Sequence, residues 1–306
     1  MANVDEVAEN VYLIDDQLFS IPKLGSVYLL NEEKKALIES GPATSAKAVL
    51  DGIREVGVRP EDIAYVIVTH IHLDHAGGAG VLLKNMPQAK VAVHHKGAKH
   101  MANPAKLMTS MIEAQGEEAL AIHGKVVPIE SHRLLAIHDD DSIRLSDQQV
   151  LKFIDAPGHA PHELCIYESR NNGVFTGDAA GQYIEGVVLP LQAPPSFDLE
   201  LCINTIRRLM ELKPSMIYSS HFGASNRAQQ NLQLAIDKLQ AWGHIVTETM
   251  KENTVDAAAE RLRAQICAEL EPARKMKSIY EFLTNSYVLM TVAAFIDYYQ
   301  EKLAKE

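Results

Sequence analysis

The stretch Thr69-His70-Ile71-His72-Leu73-Asp74-His75, followed by Ala76-Gly77-Gly78, constrains this chain more than any other. It sets four potential metal ligands within six residues, directly after the apolar run Ile63-Ala64-Tyr65-Val66-Ile67-Val68, which reads as a buried strand. A strand that ends in a turn lets a rigid scaffold hold several ligands at one point. With 13 His in 306 residues, chance supplies this pattern roughly once per thousand chains of the same composition. A solvated polar turn with incidental histidines is the plainer alternative.

One turn rarely completes a two-metal site, so further ligands are expected downstream. Asp155-Ala156-Pro157-Gly158-His159-Ala160-Pro161-His162 puts His159 in a Gly/Pro turn after a strand. Thr176-Gly177-Asp178-Ala179 puts Asp178 at the end of another strand, and Ser219-Ser220-His221-Phe222-Gly223 repeats the arrangement for His221. Strand ends gathered on one edge of a sheet would bring these residues together.

Together these segments resemble the metallo-β-lactamase superfamily, over about residues 10–225. The resemblance implies an α/β fold, a four-layer αβ/βα sandwich, with a C-terminal helical extension. It implies a first metal held by His70, His72 and His159, a second held by Asp74, His75 and His221, and Asp178 bridging the two. Within the superfamily the features are similar to glyoxalase II-like thioesterases and lactone hydrolases. The implied function is a dinuclear-metal hydrolase in which a metal-bridging hydroxide attacks an ester, thioester or lactone carbonyl. Asp74 or Asp178 would shuttle the proton. Asp178 stands where one class of antibiotic-degrading relatives carries Cys, which argues against β-lactamase activity. Glu39-Ser40-Gly41 departs from the Asp-Thr-Gly usual in relatives, where the Asp supports the ligands. Tyr183, five residues after Asp178, is a candidate to hydrogen-bond a substrate carbonyl, as a nearby Tyr does in similar lactonases; a packed loop tyrosine is the alternative.

Five imidazoles and two carboxylates suit two divalent ions, zinc first, with iron or manganese also compatible. A di-iron oxygen or redox protein on the same fold, or a phosphodiesterase, is the competing reading. The net charge of −11 disfavours nucleic acid and anionic membranes as partners, leaving a small-molecule substrate. No run of 18 apolar residues is evident and the N-terminus lacks a signal-peptide pattern. Three well-separated cysteines, Cys165, Cys202 and Cys267, suit free thiols in a reducing compartment. A cytoplasmic protein is expected.

The chain divides into a catalytic domain at 1–225 and a helical extension at 226–306, read as helices over 226–250, 254–270 and 276–304, which either form a subdomain or pair two copies in a homodimer. Residues 96–135 are a candidate helical cap insertion. The methionines and leucines within 96–124 read as a packing face or as a flexible cap over a pocket. The segment 187–195 is either a stiff pocket wall or a surface crossover. A helix is expected from about Gly77 to Lys84. His94 and His95 are candidates to approach the pocket, His162 to stabilise its turn, and His100, His123, His132, His138 and His244 to lie at the surface or in packing.

Overall fold

The computed structural model of the chain describes residues 4–251 and 255–304. Seven strands form the first sheet in chain order: β1 (Val4–Ala8), β2 (Val11–Asp15), β3 (Ser26–Leu30), β4 (Lys35–Ile38), β5 (Ile63–Ile67), β6 (Lys90–His94) and β7 (Leu134–Ile137). The first four pair antiparallel, and β4 through β7 pair parallel. Parallel neighbours need crossovers, and helices fill them. They are α1 (Ala46–Glu55), the short α2 (Leu73–Ala76) and α3 (Ala79–Leu82), then α4 (His95–Ala102), α5 (Ala105–Gln115) and α6 (Ala119–His123).

The second sheet takes β8 (Ser142–Arg144), β9 (Val150–Asp155), β10 (Leu164–Glu168) and β11 (Gly173–Phe175). A separate hairpin follows, β12 (Gln182–Ile184) with β13 (Val187–Leu189), and then α7 (Leu199–Glu211). The chain re-enters the sheet as β14 (Met216–Tyr218) and β15 (Ala224–Ser225), giving the order β15-β14-β11-β10-β9-β8.

Side chains alternate along a strand, so a strand covered on both faces is apolar throughout. Leu13, Tyr28, Leu30 and Ile38 point between the sheets and meet Leu151, Phe153, Leu164 and Phe175. Their neighbours Ile14, Val27, Leu29 and Leu37 point the other way and pack with Val49 and Ile53 of α1. The layers are therefore helix, sheet, sheet, helix, the expected αβ/βα sandwich.

The C-terminal part is α8 (Ala228–Lys251), α9 (Val255–Glu269), α10 (Lys277–Thr284) and α11 (Ser286–Leu303). Trp242, Leu262, Tyr287 and Phe295 share one core with Cys165, Val174 and Ile217 of the second sheet. The helices thus form the outer layer over that sheet. Among the described residues Lys277–Leu303 is the one stretch long and apolar enough, by length and composition, to cross a membrane. Half of its most apolar window is buried in this core.

Two boundaries differ from the sequence expectation. The helix expected from about Gly77 to Lys84 shortens to α3, and a separate turn of helix, α2, opens before it at Leu73, because the amides of His75 and Ala76 both donate to the His72 carbonyl. Asp74 and His75 therefore stand on a helical turn. The single helix read over 276–304 breaks at Asn285, which has non-helical backbone angles.

Candidate metal centre

β5 sits between β4 and β6 near the middle of the first sheet, so its C-terminal end is held on both sides. Val68 continues the ladder by donating to the Ala92 carbonyl, and the chain then turns through Thr69 to His72. The turn packs tightly against the residues after β4. A Cβ on Gly78 would lie 2.7 Å from the Ser40 carbonyl oxygen, with the Gly41 and Pro42 oxygens at 2.9 Å. Only glycine permits that approach. Gly158 meets the same demand before His159: its φ is +143°, and a Cβ would lie 2.5 Å from the Cys202 amide nitrogen.

The seven expected ligands converge from four strand ends. His70, His72, His159 and Asp178 place one ligating atom each within 4.8 Å of one another, as do Asp74, His75 and His221. His70 Nε2 and His159 Nε2 each lie 3.0 Å from His72 Nδ1. His221 Nε2 lies 3.2 Å from His75 Nε2. Asp178 stands between the groups. Its Oδ2 is 3.3 Å from His159 Nε2, 3.4 Å from His75 Nε2 and 3.8 Å from His70 Nε2, and its Oδ1 is 3.4 Å from His221 Nε2. Asp74 Oδ2 lies 3.5 Å from His221 and 3.6 Å from His75.

The outward nitrogens are anchored, which fixes where the inward ones point. His159 Nδ1 lies 2.9 Å from the Leu191 carbonyl oxygen, His70 Nδ1 3.0 Å from Thr69 Oγ1, and His75 Nδ1 3.0 Å from Glu39 Oε1. Glu39 also accepts from the Thr69 hydroxyl, from the Thr69 amide at 3.2 Å and from Ser220 Oγ at 2.8 Å. One buried carboxylate thus ties β4, the His70 turn and the His221 loop together, from a backbone at φ +71°. The glutamate at the departure Glu39-Ser40-Gly41 supports His75 directly.

Charge follows from this packing. Burial disfavours the imidazolium at His70, and the neighbouring His75, His72 and His159 add to it, so its pKa falls well below the usual value. Burial likewise drives His72 down to about 3. Burial opposes the charge on His75 as well, yet Asp178, Asp74 and Glu39 outweigh it and raise its pKa. Burial would raise Asp178, but the imidazoles of His75, His221 and His159 hold it well below the usual carboxylate range.

The donor set fits metal ions. Buried polar groups normally find hydrogen-bond partners, yet Asp178 Oδ1 has none. With Nδ1 of His70 and His159 turned outward to Thr69 and the Leu191 carbonyl, their Nε2 atoms both face His72 Nδ1 at 3.0 Å. Such an arrangement leaves acceptors facing acceptors unless cations lie between them.

Three sequence candidates lie elsewhere. The Tyr183 side chain is absent from the lining of the cavity that holds the ligands. Its ring packs beside Gly223 and against the core beneath the second sheet, while its amide donates to the His221 carbonyl at 3.1 Å. His94 and His95 are also absent from that lining: His94 Nε2 is 2.7 Å from Asp155, and His95 stacks on His138 at 4.2 Å between centroids. Conversely His100, His123 and His162 line the cavity. His162 lies 5.9 Å from the His72 ring, and burial lowers its pKa to about 4.

Three residues escaped sequence reasoning. Glu163 is fully buried and accepts from the Asp178 amide at 2.7 Å. Burial and then the Asp178 charge push its pKa well above the ordinary carboxylate range, favouring the neutral acid. Asp16 lines the cavity, is buried, and accepts from the Leu18 amide at 3.0 Å; burial pushes its pKa to about 7. Tyr287 enters the cavity wall from α11 and donates to the Pro190 carbonyl. Only Glu163, adjacent to the His159–His162 motif, carried a local signal.

A family model described as the metallo-beta-lactamase superfamily matches residues 21–221, more than half of the chain. The metallo-beta-lactamase fold-containing protein ST1585 of Sulfurisphaera tokodaii is 26% identical over 264 residues, covering 84% of this chain and 93% of its own. An N-acyl homoserine lactonase from a Bacillus species is 23% identical over 173 residues, covering 55% of this chain and 58% of its own. Among solved structures, the metallo-beta-lactamase family protein TTHA1429 of Thermus thermophilus superposes with a TM-score of 0.67 at 19% identity. That superposition covers 96% of this chain and 94% of the other.

Proposed function

We propose a hydrolytic function for this chain, which belongs to the metallo-beta-lactamase superfamily. The reaction is cleavage of an ester, thioester or lactone: the acyl C–O or C–S bond breaks, water supplies the new C–O bond, and the leaving group takes a proton. The observation that carries this reading is the convergence of seven ligating side chains, five of them lining one open cavity, with the outward nitrogens of His70, His75 and His159 anchored. Two divalent ions bound there would acidify water toward a pKa of about 7 and polarise a carbonyl. His70, His72 and His159 would hold one ion, Asp74, His75 and His221 the other, and the central position of Asp178 suits a bridge.

The remaining tasks fall to the chain itself. Asp74 is the more exposed carboxylate, its side chain 21% accessible against 3% for Asp178. It lines the cavity and is placed to carry the proton to the leaving group. Leu191, Pro194 and Pro195 make one wall of the same cavity. The 191–195 end of the segment 187–195 therefore serves as a pocket wall, stiffened by proline. The similarity to an N-acyl homoserine lactonase favours carbonyl over phosphoryl substrates.

A panel of thioesters, lactones, carboxylic esters and phosphodiesters tests the reading, using protein whose metal content is measured. Turnover confined to acyl substrates and lost on chelation is expected. Turnover of phosphodiesters alone, or full acyl turnover without metal, would overturn it.

A further inference from the structure

The cavity is larger than a reacting carbonyl needs. It encloses about 1840 Å³, against roughly 300–1,000 Å³ for ordinary ligand pockets. Away from the metal ligands its wall carries six large apolar side chains among polar ones. Phe19 enters from the loop after β2, Leu107 and Met111 from α5, Ile122 from α6, Phe282 from α10 and Met290 from α11.

All of these side chains but Met111 are poorly covered for their type. Ile122 is 44% exposed, and Phe19, Leu107, Phe282 and Met290 are only half-buried. Apolar surface left facing a cavity is recovered when an apolar ligand displaces water. The walls are also tied to one another. The Phe19 ring meets His123 edge-on at 5.2 Å and Phe282 at 6.0 Å, and Thr44 Oγ1 donates to the Ile122 carbonyl at 2.8 Å. The cap in turn rests on the metal-ligand turn, because Met111 packs with Leu73, the residue between His72 and Asp74. The apolar limb is therefore continuous with the reaction centre. The lysines that line the cavity, Lys47 and Lys106, are exposed. They meet solvent and leave the limb without a buried cation.

From this we infer that the apolar limb takes a linear aliphatic acyl chain, which makes medium- or long-chain acyl esters, thioesters or lactones the substrate class. This rests on the hydrolytic reading and narrows it. A wall of Met, Leu and Ile adapts to a flexible chain, whereas a compact polar acyl group would leave the limb filled with water.

Two measurements on the metal-loaded protein test this: kcat/KM for acetyl, hexanoyl and decanoyl esters of one phenol, and calorimetric binding of acetate and decanoate. The expected rise in kcat/KM is about two- to fourfold per added methylene, with decanoate binding more tightly than acetate. Ile122→Trp, at an exposed position that tolerates bulk, and Met111→Trp should each fill the limb. Either should lower the decanoyl-to-acetyl ratio of kcat/KM by at least about tenfold. Equal kcat/KM for acetyl and decanoyl esters would overturn the acyl limb and leave the hydrolase standing. Failure of decanoate to bind more tightly than acetate would also overturn it. If no ester is cleaved but decanoate binds, and Ile122→Trp weakens that binding, the hydrolytic reading falls and the limb stands.

Discussion

The metal centre and the cavity wall lie side by side but are built on opposite principles. Each ligand stands at a strand end or one turn beyond it, and three of the imidazoles are pinned through their outer nitrogens by Thr69, Glu39 or the Leu191 carbonyl. His70, His75, His159, Asp178 and His221 are all buried. The wall is assembled from a loop, α5, α6 and two C-terminal helices, most of whose lining side chains keep open surface. Rigid polar convergence fixes reacting atoms, and apolar surface with room to adapt selects what is delivered to them. The centre should therefore respond steeply to single changes and the wall gradually.

His72→Ala breaks the comparison at its steepest point. His72 Nδ1 lies 3.0 Å from both His70 and His159, so its loss opens one ligand group. Metal affinity and turnover should fall by more than the roughly 100-fold expected for an outer partner, with the circular dichroism spectrum unchanged. Full metal loading and normal turnover would sink the ligand assignment. Glu39→Gln comes next. It leaves the anchor of His75 without its charge, and metal affinity should fall about 10- to 100-fold in a competitive chelator titration. An unchanged affinity would reduce Glu39 to packing.

Asp16→Asn sharpens the boundary between the two regions, since Asp16 is a buried carboxyl on the wall. Its pKa rises from 3.8 to about 7 on folding, chiefly through burial. Between those values the folded chain holds a proton that the unfolded chain has released. Stability is therefore present below about pH 4, declines as pH rises toward 7 and stays lower above it. The loss amounts to about 4 kcal/mol at most. Asparagine removes that dependence while keeping an acceptor for Leu18, so the variant should gain in melting temperature over the parent at pH 8 relative to pH 5. Equal differences at the two pH values would contradict the burial argument. Phe19→Leu should do least. It keeps the apolar wall but loses the ring contacts to His123 and Phe282, at a cost of about 1 kcal/mol. A rise in KM of less than about tenfold for a long acyl substrate is expected, and a larger fall in kcat would move Phe19 from the wall to the reaction.

Much of the metal centre was legible because its information is local. A ligand at a strand end needs an apolar run before it and a glycine beside it, and Val68 to Gly78 writes both in consecutive residues. The same logic found His159, Asp178 and His221. It failed for Tyr183, where spacing in sequence did not say which face of the hairpin turns toward the cavity. His123, read as surface or packing, is packed edge-on against Phe19, and α6 places it on the cavity lining as well. Asp16 and Tyr287 carried no local signal, because their positions depend on how distant elements pack.

The amino-acid sequence by itself determined the layers and the candidate ligands, since strand alternation and turn glycines act over a few residues at a time. Only the tertiary structure decided that Glu39 reaches His75, that Glu163 holds the Asp178 amide, and that α5, α6, α10 and α11 enclose one apolar limb. Those contacts join residues far apart along the chain, and long-range packing sets which side chains meet there.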